Sequence, residues 1–174
     1  MVGAELYHPE LWNNFFVLVG TGSAALTGLV FVAISVNLKA VSRDATHTYR
    51  AINMLSGFTS AFIVSSLALM GHQTHRTVGL EWLIVSLLAA VINTNGYIQG
   101  SSLAGSRYAL SVVRVIGGSA CYLGQVIGSA MFYLGSSAGI YVAATALIVN
   151  FCFLVSGSWL LIVGTLHGSD ETPI

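Results

Sequence analysis

The residues of this 174-residue chain with chemical potential fall into two groups. The first combines histidine with carboxylate. His72 and His75 stand in HxxH spacing, and Glu81 follows shortly after. Imidazole and carboxylate together suit transition metals, and imidazole titrates near neutral pH. A helix running through His72 and His75 would place both rings on one face. His8 lies in the N-terminal segment beside Glu5 and Glu10. His8, His72, His75 and Glu81 are therefore the candidate metal-binding or pH-sensing set. The plainer alternative is a group of solvated loop histidines.

The second group is neutral and polar. Asn53, Ser56 and Ser60 recur on one helical face, followed by Asn93, Asn95, Gln125 and Asn150. Each stands in or beside a long apolar run. An amide placed in hydrocarbon must find a partner, so these side chains are expected to face protein or water rather than lipid. Two outcomes stay open: hydrogen bonds between helices, or the lining of a neutral polar pathway.

Nothing else in the chain suggests catalysis. There is no nucleophile elbow, phosphate-binding glycine loop, HExxH or CxxC pattern. Gly20-Thr21-Gly22 lies inside an apolar run, and no histidine is central enough in a run to be a haem ligand. Cys121 and Cys152 read as small buried hydrophobes. The chain is expected to be a non-enzyme, with no catalytic residue and no cofactor.

The elements that must position these residues follow from the charges. Only 7% of residues are charged, six basic and six acidic, and the formal net charge is zero. Hydrophobic residues make up 55%, with mean hydropathy +0.82. Without a basic excess, nucleic-acid binding is not expected. Twelve charges are too few to cover a soluble domain of this size. The expected surroundings are a lipid bilayer.

Residues 11–38, 51–75, 82–106 and 115–169 contain no Asp, Glu, Lys or Arg. A helix needs about 20 apolar residues to cross the hydrocarbon core. The first three gaps hold one span each. The fourth holds two, separated at Gly135-Ser136-Ser137-Ala138-Gly139. The expected fold is all-α: a polytopic membrane bundle forming one domain over residues 1–174, with five transmembrane helices near 13–37, 52–71, 80–99, 111–134 and 139–164. Pro9 and Pro173 lie outside these ranges, so no proline kink is expected.

Alternating the loops sorts the charges. Lys39, Arg43, Arg50, Arg107 and Arg114 fall on one side, with Asp44, Asp170 and Glu171. The other side holds Arg76 with Glu5, Glu10 and Glu81. The positive-inside rule puts the N-terminus outside and the C-terminus in the cytoplasm. Trp12 and Trp82 then fall at the outer interface and Trp159 nearer the inner one.

Small residues recur at four-residue intervals: Gly20, Ala24 and Gly28; Ala120, Gly124 and Gly128; Gly135, Gly139 and Ala143. Such ridges let helix backbones approach closely within bilayers, inside one chain or between chains.

The segment Leu11 to Ala40 resembles the first helix of a group of small bacterial integral membrane proteins. These open on Trp and Phe, then a Gly/Ala-rich stretch and an LTGLLFVAxSxNL-like run. The matching residues here are Trp12, Phe15, Gly20, Ala24, Ala25, Leu26, Thr27, Gly28, Leu29, Phe31, Val32, Ala33, Ser35, Asn37 and Leu38. The resemblance implies a bacterial inner (plasma) membrane.

The expected function is a homo-oligomeric membrane protein with a channel-like pathway lined by neutral polar residues. A second reading is a structural or regulatory subunit that binds another membrane protein through its helices. A third, carried by fewer residues, is metal or pH sensing by the outer His/Glu cluster.

Overall fold

A computed structural model describes residues 9–43, 45–102 and 108–167. They form six helices: α1 Pro9–Val36, α2 Leu38–Arg43, α3 Ala45–Ala68, α4 His75–Ser102, α5 Tyr108–Tyr133 and α6 Ala138–His167. The described residues contain no strand. All but α2 are long and apolar enough to cross a membrane.

The helix ends differ from the expected ones for local reasons. Helix α1 starts earlier, on Pro9. At a first helical position the missing N–H of proline costs nothing, because that donor has no intrahelical partner. Helix α1 stops at Asn37, whose Nδ2 donates to the Ala33 carbonyl at 3.0 Å. The same carbonyl also accepts the Asn37 backbone N–H at 3.2 Å, and the Val41 N–H reaches the Asn37 carbonyl at 3.0 Å. The short α2 then begins. It was not expected, being only six residues long. It is tied to α3 by Thr48 Oγ1, which donates to the Val41 carbonyl at 2.8 Å.

Helix α3 ends at Ala68, earlier than the expected 71. Thr74 caps α4: its Oγ1 accepts the Thr77 backbone N–H at 3.2 Å. Between α5 and α6 the Ser136 N–H reaches the Met131 carbonyl (2.9 Å) and the Gly135 N–H reaches Phe132 (3.0 Å). Gly135 has φ +91°. This is a Schellman motif with glycine in the left-handed position, where a Cβ would be strained.

Helix α3 is the hub. It packs against α1, α4 and α6, while α5 fits between α4 and α6. In the most apolar window of α3, 56% of residues are buried, against 22% for α1, so α1 lies at the edge. All five long helices meet near the turns, where Phe16, Val64, Val78, Trp82, Phe132 and Ile140 form one cluster. Farther along, Val30, Met54, Phe58 and Leu154 join α1, α3 and α6.

Trp82, expected at the outer interface, faces the bundle interior rather than its surface. It is 1% exposed, within the cluster. Its ring stacks on Phe132 at 5.6 Å and 24°, and tilts against Phe16 at 5.3 Å. Its Nε1 donates to the Val64 carbonyl at 3.1 Å. Trp12 lies nearer the surface and meets Tyr141 edge-on at 4.9 Å.

The small-residue ridges divide. A Cβ on Gly128 would collide with the Ala143 backbone nitrogen, and one on Gly139 with the Phe132 nitrogen and the Gly128 carbonyl. On Gly124 it would stand 3.0 Å from the Ala146 Cβ. Here α5 and α6 are in close backbone contact. A Cβ on Gly20 would stand 3.2 Å from the Ser65 Cβ, a tight approach to α3. Gly28 has nothing within 4 Å, and Ala24 and Ala120 are exposed, so these three do not pack within the chain.

Candidate functional site

The polar residues converge on the bundle interior. Asn53 and Ser60 on α3, Asn93 on α4, Gln125 on α5 and Asn150 on α6 are all buried, and Ser56 is half-buried. Asn95 departs from the expected lining and is exposed. The reason is helical phase: its neighbour Asn93 points inward, and two residues along a helix turn the side chain well away.

Part of this polar interior is satisfied by protein. Ser56 Oγ donates to Asn93 Oδ1 at 3.2 Å, joining α3 to α4. Asn93 Nδ2 donates to the Ala89 carbonyl at 2.9 Å. Ser60 Oγ donates to the Gly57 carbonyl at 2.8 Å. Thr94 and Ser119 pair at 3.3 Å between α4 and α5.

Another part is not. Gln125 Nε2, Asn53 Oδ1 and both amide atoms of Asn150 are buried with no hydrogen-bond partner among the described residues. So are the hydroxyls of Ser23 and Ser65. Each orphaned group costs about 1–3 kcal/mol if nothing solvates it. Asn53 lies so close to Gly96 that any Cβ there would strike its amide.

Gln125 borders an internal cavity of about 10 Å³, room for the centre of one water molecule. Ser86, Ser129, Phe16, Val64, Trp82 and Leu147 also line it, and all are buried. The Trp82–Phe132 stack lies at the turn end of this polar interior. A larger groove of about 650 Å³ lies between α5 and α6, along Ala120, Cys121, Tyr141 and Thr145. It opens outward and is almost wholly apolar.

Ser86, Ser129 and the buried hydroxyl-bearing residue Ser23 were not singled out from the sequence. Their signal was helical phase. Ser129 stands one turn beyond Gln125, and Ser86 two turns before Asn93.

The His/Glu set does not come together as expected. Helix α3 stops before His72, which stands exposed in the loop with φ 62°. His75 begins α4, half-buried. The two rings therefore do not share a helix face. Glu81 instead accepts a hydrogen bond from Gln73 Nε2 at 3.0 Å. Among the described residues no three His, Cys, Asp or Glu side chains group as metal ligands. His8 lies outside the described residues.

Comparison of the chain with protein-family models, curated proteins and solved structures finds no match. The functional reading therefore rests on the interior itself.

Proposed function

We propose that this chain is a non-enzymatic multi-pass membrane protein whose interior forms a channel-like pathway for small neutral solutes, working as a homo-oligomer. The observation that carries this reading is the set of buried amide atoms without partners among the described residues: Asn53 Oδ1, Gln125 Nε2 and both of Asn150, on three helices. In an apolar bundle such groups are expensive unless water or a passing solute satisfies them. A lining with so few unpartnered amide oxygens favours neutral cargo, because they are too few to replace an ion's hydration shell. The Trp82–Phe132–Phe16 cluster is the constriction of the pathway at its turn end. The exposed Ala24 and Gly28 on α1 are the face through which copies associate.

The test is flux. Purified protein in proteoliposomes is expected to pass water and small uncharged solutes faster than protein-free vesicles, with a sharp loss as solute size grows. Equal permeability overturns the pathway.

The second reading, a structural or regulatory subunit, is favoured by α1, which exposes Leu29, Phe31, Val32 and Val36 beside open Gly28. A stoichiometric membrane partner on purification, with no flux from the chain alone, selects it.

The bacterial inner membrane is the proposed location, supported by the first-helix resemblance. The positive-inside rule puts the N-terminus outside and the C-terminus in the cytoplasm. A C-terminal reporter is accordingly expected to be active only in the cytoplasm. Activity only on the outer side reverses the orientation.

A further inference from the structure

We propose that the cavity beside Gln125 is a binding site for a single water molecule. Two independent features point there. The first is size: about 10 Å³ holds the centre of one water and nothing larger. The second is an orphaned donor. Gln125 is 4% exposed, lines the cavity, and its Nε2 has no acceptor among the described residues.

A buried water needs two to four polar partners. Gln125 Nε2 supplies an N–H. Ser129 and Ser86, 1% and 2% exposed, border the same space. The Ser129 hydroxyl proton is committed to the Gln125 carbonyl at 2.7 Å, so its oxygen is left to accept. A water taking the amide N–H and giving its protons to the two serine oxygens satisfies the orphan and links α4 to α5. None of the lining residues is charged. An ion would sit there without a counter-charge, so the ligand is neutral.

This site has an aromatic wall formed by Phe16 and Trp82. It stands whether or not the bundle conducts, and a bilayer experiment separates the two. Full-length protein in bilayers is studied by solid-state NMR with magnetisation transferred from water. Transfer to Gln125 Nε2 is expected to be several-fold stronger than to Asn93 Nδ2, which is equally buried but bonded to a carbonyl. Transfer no greater than that to Asn93 overturns the proposal.

Thermal unfolding gives a second reading. With water bound, Gln125→Leu removes a satisfied group, and its Tm is expected to stay level or fall. A dry cavity leaves the amide orphaned, so Gln125→Leu would raise the Tm, which also overturns the proposal. Transfer to Gln125 without solute flux keeps this site and removes only the pathway.

Discussion

Trp82→Ala is expected to lower the stability of the bundle by about 3–5 kcal/mol, the usual cost of truncating a large buried aromatic. The side chain is 1% exposed and lies where all five long helices meet. Its loss opens a cavity among Phe16, Val64 and Phe132. It also leaves the Val64 carbonyl without the indole N–H that it accepts at 3.1 Å. Trp82→Phe keeps an aromatic ring in the cluster but loses the second ring and the N–H bond, so its cost is expected to be about 1–3 kcal/mol. Thermal unfolding in detergent or bilayers orders the three proteins: wild type, Trp82→Phe, Trp82→Ala. A Trp82→Ala protein that melts with wild type would contradict the burial of the indole where the five helices meet.

Gly128→Leu is expected to separate α5 from α6. Overpacking costs about 1–3 kcal/mol when side chains can yield. Here the first atoms met are backbone, the Ala143 nitrogen and Cα, so the effect belongs at or above the top of that range. Gly28→Leu supplies the contrast. Gly28 has nothing within 4 Å, so the added side chain strains no contact within the chain. Its expected effect is on association: a shift toward smaller oligomers at unchanged monomer stability. Equal destabilisation by both substitutions would contradict the division of the ridges into internal and outward faces.

Those two glycines show how far the sequence was legible. Four-residue spacing announces that a helix face is small, but both Gly20–Gly28 and Gly124–Gly128 carry that spacing. What a face meets depends on tertiary placement, which no local pattern contains. The spans were legible because charge is expensive in hydrocarbon and the gaps between charges had the right lengths. The helix ends were less so. Pro9 starts a helix and the turn at Asn37 ends one, and neither boundary changes hydropathy.

The candidate site divides in the same way. Asn53, Asn93, Gln125 and Asn150 were recognisable because an amide in an apolar run must turn inward. Asn95 stood in the same run and faces out, and only its phase relative to Asn93 separates them. Trp82 shows a second limit of local pattern. Indole is enriched at interfaces because it joins an apolar body to a polar handle. The Val64 carbonyl supplies that handle's partner inside the bundle instead. The HxxH pair depended on α3 continuing through His72, and the chain turns after Ala68.

The pathway itself is tested most directly by osmotic permeability in proteoliposomes carrying Asn150→Leu or Asn95→Leu at equal protein density. Asn150 is buried with both amide atoms unpartnered among the described residues, and Asn95 is exposed on the helix surface. The account predicts that Asn150→Leu reduces permeability to that of protein-free vesicles while Asn95→Leu retains the wild-type rate. Wild-type permeability from Asn150→Leu, or no permeability above protein-free vesicles from the wild type itself, would contradict it.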